Sequence, residues 1–345
     1  MNRFPAYLLT ILLFLSLLTS CQSAVPNNTE GAAATTSVGK STTTTAAATT
    51  TTAVTRSPAP ADQIVARSAI LYDAESGETL FERDADRRIA PASVTKLMTA
   101  ITAFTFCEEE EVLSVDRETL ALVMYDATRA GLQEGMQLTV RMLVEGLLLP
   151  SGCDAGYVLG VGIGRKIAGN PSLPAREAAA LFSARMTDQA RSFGALDTTF
   201  LNPDGYDANG HLTTAHDLAL ISRQALLDPR IAEIVSQRSI TRTFPSGQTN
   251  TWWNGNYLLS TDQSGMVTGL KTGFTDNAGH CLAFSFVYEN RTYIGLVMGC
   301  PDTWQRWLDA EALIYWCTGQ ITNEELIVTT TGKTAAGTTM AASGQ

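Results

Sequence analysis

The chain has 345 residues, 45% of them hydrophobic, with 24 basic against 34 acidic side chains for a formal net charge of −10. That length and apolar content suffice for one sizeable core with appendages. An acidic balance with no basic patch interleaved with aromatics excludes nucleic acid as a partner and leaves acidity as a solubility feature.

In chain order, the N-terminus reads as a targeting signal. Arg3 supplies a short positive region, and the apolar run over 7–18 is too short for a comfortable membrane span. Leu18-Thr19-Ser20-Cys21 resembles a bacterial lipobox, so residues 1–21 read as a lipoprotein signal with Cys21 as the lipidated residue; an ordinary secretory signal is the alternative. Acyl chains on Cys21 would hold the mature chain at the membrane surface without a spanning helix. Residues 22–61 are rich in Thr, Ala and Ser and cannot bury enough surface to offset ordering entropy, which predicts a disordered tether. A folded domain is expected over 62–325, and a second disordered tail over 326–345.

Residues 68–73 read as a strand, 74–78 as a turn and 79–82 as the returning strand. Pro91 then precedes a run of good helix formers, a helix start. Residues 107–225 look largely helical, with apolar spacing near the helical period over 138–149, 175–193 and 214–227, and Asp217 in the first turn of the last. A third strand is expected at 266–272, then a hairpin of 282–288 and 293–298 around Glu289-Asn290-Arg291. An amphipathic helix over 303–317 follows, with Trp304, Trp307 and Trp316 read as core anchors rather than a ligand platform. Two strands, a helical block, three strands and a helix imply an α+β fold.

Ser93 and Lys96 stand three apart, so on a helix they share a face. A serine is a weak nucleophile until a base takes its proton, and a lysine can do so once desolvation or a neighbouring cation lowers its pKa. Alone, Ser-x-x-Lys is more often a capping serine with an exposed lysine. Two later motifs change that balance: Ser151-Gly152-Cys153 after an apolar run, and Lys271-Thr272-Gly273 on the third strand. Ser-x-x-Lys, a Ser-x-polar element and Lys-Thr-Gly, in that order, form the signature of penicillin-binding proteins and serine β-lactamases.

With these motifs the chain resembles the serine D-alanyl-D-alanine carboxypeptidases, the low-molecular-mass penicillin-binding proteins. Segments 91–99, 202–220, 254–259 and 269–279 follow the family order, and the resemblance covers roughly residues 62–320. One departure is Cys153, where the family usually has asparagine. The resemblance implies the β-lactamase/transpeptidase-like fold, an antiparallel sheet flanked by helices plus a mostly helical lobe, with the site between them. It implies Ser93 as the nucleophile that forms an acyl-enzyme, Lys96 as the base and Ser151 as the proton shuttle to the leaving D-alanine. Lys271 adds a cation that favours a neutral Lys96, and with Thr272 it suits a free terminal carboxylate. Gly273 leaves room for substrate along the strand. The family's two oxyanion donors map to the backbone N–H groups of Ser93 and Phe274. Arg306 lies where relatives often place a carboxylate-binding arginine; a surface arginine is the alternative. At Cys153 a thiol near Lys96 and Lys271 is expected to be drawn towards thiolate, which would oppose Lys96 as base.

The expected substrate is a peptidoglycan stem peptide ending in D-Ala-D-Ala, with β-lactams as covalent inhibitors and no cofactor. An endopeptidase that cuts cross-links is a variant of this reading. One rival is a class A-like β-lactamase, which needs Glu-x-x-Leu-Asn; Glu177-Ala-Ala-Ala-Leu181 fails at both Leu and Asn. Another is a wall-binding protein weakened catalytically through Cys153. Besides Cys21, the cysteines are Cys107, Cys153, Cys281, Cys300 and Cys317; Cys281 and Cys300 lie on neighbouring expected strands, where a disulfide or two buried thiols are equally open. No Cys/His cluster has metal spacing, and His211, His216 and His280 read as structural or surface residues.

Overall fold

The computed structural model describes residues 60–244 and 247–319. The signal with Cys21, nearly all of the tether and the 326–345 tail lie outside the described residues. Among the described residues nine strands run in chain order: β1 Ser68–Asp73, β2 Thr79–Arg83, β3 Val112–Ser114, β4 Gln137–Thr139, β5 Ser239–Thr243, β6 Thr249–Trp253, β7 Val267–Thr275, β8 Gly279–Tyr288 and β9 Arg291–Cys300. The α-helices are α1 Thr95–Phe106, α2 Arg117–Leu120, α3 Val140–Leu148, α4 Cys153–Ala168, α5 Ala175–Ser192, α6 Ala215–Leu227, α7 Pro229–Ser236, α8 Tyr257–Thr261 and α9 Thr303–Thr318.

The main sheet is antiparallel throughout, in the order β2-β1-β9-β8-β7. Its last two strands form a hairpin whose turn residues Glu289 and Asn290 take φ of 50° and 60°. Two successive left-handed residues match the twist of the flanking strands. Alternate side chains feed two cores: Ile70 and Ala283 face the helices α1 and α6, while Leu71, Leu282 and Phe284 pack with Trp307 and Leu313 of α9. The first core continues through Leu143, Leu147, Leu159 and Phe182 into the helical part of the molecule.

Three expectations need correction. The stretch read as largely helical carries the small β3–β4 sheet, and no helix covers 121–136. A second small sheet, β5–β6, was not anticipated. Of the three tryptophans in α9, Trp307 and Trp316 are buried as core anchors, but Trp304 is 67% exposed. Cys281 and Cys300 are free buried thiols. Of the two alternatives the free thiols are found, since His280, not Cys281, pairs with Cys300 across the β8–β9 irregularity.

Candidate active site

Pro91 precedes a single 3₁₀ turn, Ala92–Val94, that runs directly into α1. Ala92 takes φ of 48°, a strained value for a residue with a Cβ, and it stands one residue before Ser93. Lys96, in the first turn of α1, is wholly buried. Its Nζ donates to Ser93 Oγ at 2.7 Å, to the backbone carbonyl of Asp204 at 2.6 Å and to Cys153 Sγ at 3.4 Å. The lysine therefore joins the serine, the start of α4 and the loop before α6.

Ser151 lies in the turn between α3 and α4 with φ of 66°. It is not the helix cap, because Gly152 holds that position. Cys153 is the first residue of α4, and its N–H donates to Thr128 O at 2.8 Å. Next to it, the buried Asp154 carboxylate accepts from the N–H groups of Ala130, Gly131 and Leu132. These bonds hold the loop that carries Asp126, Ala127 and Thr128 against the cleft.

Strand β7 forms the opposite wall. A Cβ on Gly273 would sit 3.0 Å from Ala92 Cβ and 3.1 Å from Ser93 N, so glycine here lets the strand close on the serine turn. The room expected for substrate is thus used by the protein itself. Gly205 is under a similar constraint: its φ is 84°, and a Cβ would lie 1.9 Å from Ala92 O. Lys271 is buried, and its Nζ reaches Thr272 O at 3.0 Å. Arg306 of α9 lies over the Trp307 ring at 4.4 Å, and its Nη1 approaches Gly273 O at 3.4 Å. Its buried Nε has no hydrogen-bond partner. Phe274 is exposed and packs on His280 at 4.4 Å between ring centroids.

The structure thus gathers Ser93, Ser151, Cys153, Thr272, Gly273, Phe274 and Arg306 around a cleft of about 490 Å³, with Lys96 and Lys271 buried beneath them. Among the described residues, none of Lys96, Lys271 and Arg306 forms an ion pair with a carboxylate. The expectation that Lys271 is the cation favouring a neutral Lys96 is reversed: burial first, and then the Lys96 charge, push the Lys271 amine well below the usual lysine range. The expected drift of Cys153 towards thiolate is not found. Burial raises its pKa and outweighs the pull of Lys96, and the neighbouring Asp204 raises it further. The cysteine is therefore a neutral thiol, and no thiolate competes with Ser93 for Lys96.

Several cleft residues carried no signal of their own in sequence. Asp204 is 1% exposed, and its Oδ2 has no hydrogen-bond partner. Burial raises its carboxyl pKa against the opposing pull of Lys96. Asp126 accepts from the Tyr206 hydroxyl, Asp207 accepts from Thr275, and Trp253 stands exposed at the rim. Only the Pro203-Asp204-Gly205 turn pattern could have pointed to Asp204, and it marks a turn rather than a site. Glu177, the nearest match to a deacylating glutamate, is exposed in the first turn of α5 and does not line the cleft.

With this geometry in hand, comparison with known proteins is decisive. A family model described as D-alanyl-D-alanine carboxypeptidase matches residues 52–302. The chain belongs to that family. It is 30% identical over 251 residues to the D-alanyl-D-alanine carboxypeptidase of Streptomyces sp. (strain K15), covering 69% of this chain and 82% of the relative. It is 26% identical over 245 residues to D-alanyl-D-alanine carboxypeptidase DacF of Bacillus subtilis, covering 70% of this chain but only 59% of the relative's length. Among solved structures, the Streptomyces K15 DD-transpeptidase superposes with a TM-score of 0.67 at 28% identity, over 73% of this chain and 97% of the other.

Proposed function

We propose that this protein is a penicillin-binding serine D-alanyl-D-alanine carboxypeptidase that removes the terminal D-alanine from peptidoglycan stem peptides. One observation carries the reading: a 2.7 Å Ser93–Lys96 pair opens onto a cleft lined by the half-buried Arg306, whose buried Nε has no partner. A half-buried guanidinium with no acid partner is well placed to be completed by a ligand anion. A substrate with a free C-terminal carboxylate does so beside Thr272 and Gly273, with Lys271 beneath.

In the proposed mechanism Ser93 Oγ attacks the carbonyl carbon of the penultimate D-alanine as its proton passes to Lys96 Nζ. The backbone N–H groups of Ser93 and Phe274 receive the oxyanion. The peptide C–N bond then breaks, and the leaving amine takes a proton relayed through Ser151. Water cleaves the resulting ester and regenerates Ser93. Glu177 is exposed and no glutamate among the described residues lines the cleft for β-lactamase-type deacylation, and the intact Ser93–Lys96 pair favours catalysis over a binding-only protein. The mature protein is proposed to act outside the cytoplasm, held to the membrane by lipid on Cys21 and a tether over 22–61, with the catalytic domain over 62–325.

Fluorescent penicillin should label the protein covalently, with the adduct on Ser93 by mass spectrometry. The wild type should release D-alanine from diacetyl-L-Lys-D-Ala-D-Ala. Ser93→Ala should lose both activities with an unchanged circular dichroism spectrum. Labelling that survives this substitution, or an adduct on Ser151, removes the assignment.

A further inference from the structure

Exposed aromatic side chains are not scattered over this molecule. Among the described residues the exposed aromatics are Tyr125, Trp253, Tyr257, Phe274 and Trp304. Trp253 and Phe274 line the catalytic cleft, and Tyr125 adjoins Asp126, which does too. Tyr257 and Trp304 line a second, larger groove of about 990 Å³ between α8 and α9. Exposed apolar side chains gathered in one place mark an interaction site, whereas scattered ones need no explanation.

The groove abuts the cleft. Gly255 lines the cleft and Tyr257, two residues on, lines the groove; Arg306 lines the cleft and Trp304, two residues earlier, lines the groove. Tyr257 stands at the corner of an aromatic cluster, with ring centroids 6.1 Å from Trp304 and 5.9 Å from Trp307. Trp304 is 67% and Tyr257 44% exposed, so both offer ring surface to a ligand. Around them lie the polar side chains of Gln263, Asp302 and Glu311.

This combination selects a chemistry. A pyranose ring in its chair form has faces of C–H groups and an equatorial rim of hydroxyl and acetamido groups. Aromatic faces suit the first, and carboxylates and amides suit the second. An anionic membrane surface fits poorly, since the rim brings Asp302 and Glu311 on a chain of net charge −10. We propose that the α8–α9 groove binds the glycan strand that carries the stem peptide, as a strand of N-acetylated amino sugars lying across Trp304 and Tyr257. This rests on the carboxypeptidase reading of the cleft, and it assigns the groove to the sugar portion of the same polymer.

The test compares two substrates with the full chain: a disaccharide-linked stem peptide and diacetyl-L-Lys-D-Ala-D-Ala. Trp304→Ala and Tyr257→Ala should each raise KM for the disaccharide-linked substrate about fivefold to tenfold, for a loss of around 1 kcal/mol, with kcat unchanged. Turnover of the tripeptide should be untouched, which separates failure here from failure of the carboxypeptidase assignment. Chitotetraose should quench tryptophan fluorescence in the wild type and not in Trp304→Ala. Equal losses on both substrates mean a structural role for these rings and overturn the proposal. So do wild-type kinetics in both variants, binding to vesicles rather than to sugars, or sugar binding that appears only after residues 320–345 are removed.

Discussion

Lys96 serves three acceptors, and a neutral amine has only two hydrogens. To accept the Ser93 proton its lone pair must face Ser93 Oγ, which leaves its two hydrogens for the Asp204 carbonyl and the Cys153 sulfur. The 3.4 Å bond to the Cys153 sulfur is the weakest of the three, because sulfur is a poor acceptor. Cys153 should therefore matter modestly. Cys153→Ala should lower kcat/KM by about 1–2 kcal/mol of transition-state stabilisation, near tenfold, while Cys153→Asn should keep or raise it. The wild-type thiol, held neutral by burial, should react slowly with iodoacetamide at pH 7 and more slowly still with penicillin in the cleft. Wild-type kinetics in Cys153→Ala would reduce this residue to a packing role; complete loss of acylation would give it a larger one.

At the scale of elements, His211 pins the loop after α5 to the start of α1. The Leu201 N–H donates to its Nδ1 at 3.1 Å, so the proton sits on Nε2, 3.0 Å from Thr95 Oγ1. Burial pushes its pKa down to about 4. A histidine depressed in the folded state contributes no penalty above its unfolded pKa near 6.5 and destabilises as pH falls towards 4, because the unfolded chain binds the proton more readily. At pH 5 that difference is about 2 kcal/mol. Urea midpoints at pH 7.5 and 5.0 should therefore fall further in the wild type than in His211→Gln; parallel falls would show that another group carries the acid sensitivity. This pin was only half legible: sequence marked His211 as structural or surface but could not show its burial. The long strands β7 to β9 and helix α9 were legible because they are long and strongly apolar. β5 and β6 were not, because Ile240 and Trp252 alone are buried in two otherwise polar strands. The three serine and lysine motifs, specific in their order, named residues that the structure gathers around one cleft. Asp204 and the exposed face of Trp304 were hidden, because nothing in the local sequence separates a buried carboxylate from a turn residue or a rim tryptophan from a core one.

For the whole molecule, the proposed placement in the cell rests on the sequence of residues 1–61. Cys21→Ser should abolish partition of the protein into the detergent phase or leave the signal uncut, and the wild type should carry diacylglycerol on Cys21. A native N-terminus beyond Gln22 would contradict this. Proteolysis should trim the chain to a resistant core beginning near residue 62. Within that core, the two edges of the main sheet are kept from other chains in different ways. At β2 the guard is charge, Glu82 and Arg83, with Arg83 also bonded to the carbonyls of Ile64 and Ala61. At β7 it is coverage: Gly269 is packed so closely that a Cβ would fall 2.8 Å from Val235 of α7, and α8 lies beside the same strand. The remaining run, Lys271 to Thr275, is about 17 Å of extended backbone, closed at Gly273 by Ala92 and Ser93 and exposed only at Phe274. An edge exposed only at Phe274 is a poor template for another sheet, so the packing that seats the serine turn also guards this side of the molecule against aggregation.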